Sequence, residues 1–168
     1  MDETLGRKLR FGDVAYAIGA TPKALRLWLQ RELVTIRTPK AEDGRWSEYS
    51  FVDVAILALV RTLSNFGVDI PNANAIANKI MGDHFFGPMK ALNDPGAPAG
   101  VLALIWSNRR LRIHRPGDVW ELQVIDLWKA ASESPAEPAV YLTLDVESVL
   151  RAAFARASES VNDGEDTD

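Results

Sequence analysis

Thr21-Pro22-Lys23-Ala24-Leu25-Arg26-Leu27-Trp28-Leu29-Gln30-Arg31 carries its own helix start: a threonine cap, then proline at the first helical position, where a missing N–H costs nothing. Helical spacing predicts a helix over 22–32 with Leu25, Trp28, Leu29 and Glu32 on neighbouring turns. Lys23, Leu27, Gln30 and Arg31 fall on other faces, and Arg26 lies at the edge of the apolar stripe, where it can reach outward. Upstream, residues 12–19 read as a short helix with Val14, Ala15 and Ile18 on one face and Gly19 as a left-handed stop. Only Ala20 separates that glycine from Thr21, a link short enough for a helix-turn-helix.

Downstream, residues 34–37 and 45–49 read as two extended segments. The polar link between them contains Asp43-Gly44, a strong hairpin-turn dipeptide. The returning segment, Gly44-Arg45-Trp46-Ser47-Glu48-Tyr49-Ser50, runs straight into another helix, for which Ser50 is the expected cap and Gly67 the stop. Val52, Ala55, Ile56, Leu59, Val60 and Leu63 supply its apolar face, and a fourth helix follows from Pro71 to about Met81. Helix, helix, hairpin, helix, helix is the order of a winged helix-turn-helix. Its helix with Lys23, Arg26 and Arg31 beside a hairpin with Arg37, Lys40 and Arg45 is suited to lie along a nucleic-acid backbone.

Composition changes at 82–100, where Gly82, Gly87, Pro88, Pro95, Gly96, Pro98 and Gly100 break regular structure and mark a linker. Strand-like runs follow at 101–106, 120–125 and 140–144, the last two alternating as in a sheet with one wet face. Asp145 then caps a closing helix over 146–158. The expected fold is mainly α with a small amount of β. It divides into an arm (1–10), a winged helix-turn-helix domain (11–81), the linker (82–100), a small C-terminal α+β domain (101–158) and an acidic, disordered tail (159–168). The basic cluster Arg109–Arg115 reads as a short edge strand guarded by charge against aggregation, with a second nucleic-acid or partner surface as the alternative. Trp106, Trp120 and Trp128 read as the core of the small domain rather than the walls of an effector pocket.

The net charge of −4 conceals an asymmetry. Residues 7–67 hold ten Lys/Arg against six Asp/Glu, a balance of +4, whereas residues 133–168 hold two Arg against nine Asp/Glu, a balance of −7. The basic charge therefore lies where the winged helix is expected. Cysteine is absent, which excludes disulfides and thiolate metal sites, and a reducing cytoplasm fits. No apolar run approaches the ~18 residues of a membrane span, so no membrane partner is expected. His84 and His114 are the only histidines, neither with a close acidic or cysteine partner at a metal or catalytic spacing, and no phosphate loop or nucleophile elbow appears. An enzyme, a metal site and a cofactor are accordingly not expected.

Residues 11–81 resemble the DNA-binding domain of the MerR family of bacterial transcription regulators. The family's recognition helix runs roughly Thr-x-x-x-Leu-Arg-x-Tyr/Trp-Glu-x-x-Gly-Leu, matched here by Thr21, Leu25, Arg26, Trp28 and Leu33. The family's wing ends in an aromatic-Arg-x-Tyr-Ser pattern leading into a helix that opens with an acidic-Val pair; Trp46, Tyr49, Ser50, Asp53 and Val54 match it. Leu29 stands where the family has glutamate, Glu32 where it has glycine, and Ser47 where it has the wing arginine. The coiled-coil helix through which such regulators usually dimerise is replaced by Gly- and Pro-rich chain.

The resemblance implies a sequence-specific, cytoplasmic (nucleoid-associated) regulator with helix 22–32 in the major groove and wing 37–49 on the backbone of double-stranded DNA. The residues expected at the DNA are Thr21, Lys23, Arg26, Arg31, Arg37, Lys40, Arg45 and Tyr49. Arg26 would contact DNA from the helix, and Tyr49 would support or contact the backbone from the wing. Further partners are a second copy through the C-terminal domain, and RNA polymerase or another regulator. Two other readings of the same residues are an excisionase-like DNA-bending factor and an adaptor whose winged helix binds protein.

Overall fold

The structure, a computed structural model, describes residues 8–38, 48–82, 109–114, 121–126 and 141–162. The arrangement is mainly helical with a small sheet. In chain order the elements are α1 (Phe11–Ala17), α2 (Pro22–Gln30), α3 (Phe51–Asn65), α4 (Ile70–Lys79), β1 (Arg109–His114), β2 (Glu121–Asp126), β3 (Tyr141–Asp145) and α5 (Val146–Asn162). The described residues of Met1–Asn78 and Val149–Asp168 form one compact unit, and those of Lys79–Ser148 a second.

The core of the first unit is α3. Phe51, Asp53–Val60 and Leu63 are all buried, so the helix is enclosed on nearly every side rather than along the single stripe its spacing implied. Leu25, Trp28 and Leu29 of α2, Val14, Ala15 and Ala17 of α1, and Ala73, Ile76 and Ala77 of α4 are buried in the same unit. The extra cover comes in part from α5, where Phe154 meets Phe51 edge-on at 5.5 Å between ring centroids and Ala153 and Ala157 are buried. The closing helix, expected in the C-terminal domain, thus groups with the N-terminal unit from Val149 onward. It also runs through to Asn162, so residues 159–162 of the expected disordered tail are helical. Ala157, on the expected apolar side of the helix, is buried. Residues 163–168 lie outside the described residues.

The helix starts follow the caps. Ser50 accepts from the Asp53 N–H at 3.2 Å while the Asp53 carboxylate accepts from the Ser50 N–H at 2.9 Å, a reciprocal capping box. Asp145 likewise caps α5 by accepting from the Ser148 N–H at 3.0 Å.

In the second unit the strand order is β2-β1-β3, with both pairings antiparallel. This corrects the edge-strand reading of Arg109–Arg115: residues 109–114 form the middle strand of the described sheet. Ile113 lies opposite Leu122 and Leu142 and is fully buried, while Leu111 lies opposite Val124 and Leu144. Alternation of arginine with Leu111 and Ile113 marks a strand with two unlike faces, but says nothing about its place in the sheet. The strand expected at 101–106, the linker from 83 onward and Trp106, Trp120 and Trp128 fall outside the described residues. Among the described residues, no helix is long and apolar enough to cross a membrane.

Candidate nucleic-acid interface

The turn between α1 and α2 is held from both ends. Gly19 takes a φ of +64°, the left-handed conformation that the sharp exit from α1 requires, and the Ala20 N–H reaches back to the Ala15 carbonyl at 3.0 Å. Arg61 of α3 donates from Nε to the Gly19 carbonyl at 3.3 Å. A side-chain carbon added at Gly19 would lie 3.2 Å from Nη1 of Arg156, so α5 also approaches this turn. Thr21 then caps α2, its hydroxyl oxygen accepting from the Ala24 N–H at 3.2 Å. Of the residues expected at the DNA, Thr21 therefore already has a structural task.

Burial of Leu25, Trp28 and Leu29 turns the rest of α2 outward. Lys23, Arg26, Leu27 and Gln30, together with Arg31 at the helix end, are all exposed. Arg26 is positioned rather than free: its guanidinium carbon stands 5.5 Å from the centroid of the Phe11 ring, a cation–π arrangement. The Phe11 ring is in turn 6.5 Å from that of Tyr49 and tilted by 55° to it. Nothing in the sequence marked Phe11 as the platform for this arginine.

Tyr49 belongs to the framework. It is 1% exposed and pairs through its backbone with Leu9, each N–H donating to the other's carbonyl at 2.8 Å. Burial, reinforced by the charge of Asp53, pushes its hydroxyl up to about 12 from the usual 10.0. Of its two expected roles, this burial fits the supporting one better than a direct contact with a phosphate. Its neighbour Glu48 forms a surface ion pair with Lys8.

The segment leaving α2 is not a strand. Among the described residues the expected extended run 34–37 makes no ladder, and its backbone is held by side chains. The Thr35 N–H donates to Oδ1 of Asn74 at 2.9 Å, and Asn78 Nδ2 donates to the Thr35 carbonyl at 3.3 Å, both partners lying on α4. Further along, the Arg37 N–H at 2.7 Å and the Thr38 N–H at 3.2 Å donate to Oδ1 of Asp53. The other carboxylate oxygen accepts from the Thr38 hydroxyl, from the Ser50 N–H at 2.9 Å and from the Ser50 hydroxyl at 2.8 Å.

Asp53 is 0% exposed and ties residues 37–38 to residue 50, the two flanks of the expected wing. Burial pushes its carboxyl upward, but hydrogen bonds from Thr38, Ser50 and Arg37 outweigh that and hold it below the ordinary aspartate range. Sequence reasoning found Ser50 as a cap and Asp53 as a motif match. The signal that could have given more was the Ser-x-x-Asp capping box; the long-range donors had none. Arg37 is exposed at this anchored flank, while Lys40 and Arg45 lie outside the described residues.

At the far end of α2, Glu32, which stands where the family motif has glycine, adopts a φ of +52°. The Leu33 N–H reaches back to the Trp28 carbonyl at 2.9 Å and closes the helix. The backbone makes the glycine-type exit with a residue that bears a side chain.

The arrangement is thus a rigidly held helix with a basic outer face, its central arginine laid on an aromatic ring, beside a segment pinned by a buried carboxylate. A comparison with curated proteins gives no match. Residues 9–79 match the family model described as MerR HTH family regulatory protein, and the N-terminal domain is therefore a MerR-like helix-turn-helix domain, that of a DNA-binding transcription regulator.

Proposed function

We propose that the chain is a sequence-specific regulator that inserts α2 into the major groove of double-stranded DNA and lays the wing, 37–49, along the phosphate backbone. The observation that carries this reading is the outer face of α2, where Lys23, Arg26 and Arg31 are exposed together and Arg26 is pre-positioned over Phe11. Phosphates are met by Lys23 and Arg31 on the helix and by Arg37, Lys40 and Arg45 on the wing, and these contacts set register rather than sequence. Thr21 and Tyr49 act indirectly, one by capping the reading helix and the other by supporting the Phe11 platform.

The second unit pairs two copies or contacts another protein such as RNA polymerase, and the regulator works in the cytoplasm. A two-fold pair would read half-sites spaced by about one helical turn, or a multiple of it. Pull-down of fragmented genomic DNA by the purified full chain, followed by sequencing, tests the proposal. Enrichment of a few fragments that share one motif is the expected result. Uniform recovery of all fragments would leave only nonspecific binding, and no recovery would remove the DNA-binding reading.

A further inference from the structure

The exposed face of α2 is not uniformly basic. At its centre lies Leu27, one of three large apolar side chains found exposed among the described residues, at 41%. One turn on lies Gln30, whose carboxamide has no hydrogen bond among the described residues. Lys23, Leu27, Gln30 and Arg31 are neighbours at helical spacings of three and four, so the apolar and carboxamide groups lie between two flanking cations. Cations at the margins meet phosphates, whereas base identity is read by the groups between them.

We propose that Leu27 and Gln30 are the base-reading pair of this helix, and that together they select A·T pairs. This rests on the DNA-binding reading above. Leucine has no hydrogen-bonding group; the one base feature of the major groove that rewards it is the C5 methyl of thymine. Glutamine matches the N6/N7 edge of adenine, with one donor and one acceptor side by side. The two residues are three positions apart, about 4.5 Å along the helix axis, against a base-pair rise of about 3.4 Å. They therefore address the same base pair or adjacent ones, and the preferred half-site holds a thymine and an adenine within one step of each other.

The test is selection from randomised duplexes by the full chain, followed by single-atom edits of the selected site. Replacing the contacted thymine by uracil removes only its methyl group. It should weaken the wild-type chain several-fold and leave Leu27→Ala, already weakened, unaffected. Replacing the contacted adenine by 7-deazaadenine should do the same for wild type against Gln30→Ala. In repeated selections, each variant should lose discrimination at one position by about tenfold. Because both side chains are exposed, thermal melting should be unchanged and confirms that each variant is folded.

A motif without an A·T step, or equal wild-type affinity for the thymine and uracil sites, overturns the proposal while leaving DNA binding intact. So does tight binding with no motif at all. Absence of any duplex binding overturns both this inference and the reading on which it rests.

Discussion

Helix α2 and the segment at 37–38 that follows it both carry exposed arginines, yet they are held in place by different physics. The helix is seated by apolar burial of Leu25, Trp28 and Leu29, a nondirectional force spread over three side chains. The segment at 37–38 is seated by one carboxylate, Asp53, accepting from Arg37, Thr38 and Ser50 in a site with no exposure. Burial of this kind degrades gradually when trimmed, whereas a hydrogen-bond hub fails at once, because every donor it served is left unpaired. Helix α2 should therefore keep its fold through changes on its outer face, whereas the segments at 37–38 and 50 should come loose through the loss of one buried residue.

The most severe expected break is Asp53→Ala. It leaves the Arg37, Thr38 and Ser50 N–H groups without their acceptor and should cost about 3 kcal/mol, measured by urea unfolding. Asp53→Asn keeps part of the acceptor capacity and should cost less; equal losses would show that acceptor geometry is not what holds the segment at 37–38.

Next comes Arg26→Ala, on the other side of the comparison. It should weaken specific DNA binding by about tenfold or more, as expected for removal of a major-groove contact, with unfolding unchanged within about 0.5 kcal/mol. Phe11→Leu should give a smaller loss of affinity, corresponding to about 0.5–1 kcal/mol, by taking the ring away from Arg26 while keeping an apolar side chain.

Titration separates the two regions further. The Asp53 carboxyl is lowered in the folded chain, so its contribution to stability is present above the ordinary aspartate range and is lost as pH falls through the lowered value. Tyr49 is raised, so its contribution is present below 10.0 and is lost as pH rises towards about 12. Thermal melting against pH should fall at both ends. Asp53→Asn should flatten the acid limb, and an unaltered acid limb would contradict the assignment of that limb to Asp53.

The smallest expected effect is a gain. Glu32→Gly at φ +52° relieves a left-handed conformation that costs a residue with a side chain about 1 kcal/mol, and it should stabilise the chain by a similar amount in the same unfolding assay. A loss of stability would mean that the Glu32 side chain contributes more than its backbone conformation costs.

Legibility in the sequence divides along the same line. Helix α2 could be read because its cap, its proline and its apolar stripe all fall within eleven consecutive residues, Thr21 to Arg31. The anchoring of residues 35–38 could not, since Thr35 and Arg37 find their acceptors 39 and 16 residues away, on two other helices. The same limit left Tyr49 between two roles: an aromatic hydroxyl at that position suits either a phosphate or the interior, and its backbone pairing with Leu9 is nonlocal. Strand order escaped for an analogous reason, because the alternating arginines of β1 report two unlike faces and not which neighbours flank the strand. Conversely, Asp145 gave the start of α5, whereas its last residues, 159–162, were hidden because Ser and Glu are as compatible with a helix end as with a disordered tail.

Whether the outer face of α2 reads DNA is decided by fluorescence anisotropy of a selected duplex titrated with the full chain and with Arg26→Ala at about 150 mM salt. A complex at least about tenfold weaker is expected for the variant, with identical thermal melting of the two proteins. Equal affinities for two equally folded proteins would contradict DNA reading by this face and move the reading surface away from this helix.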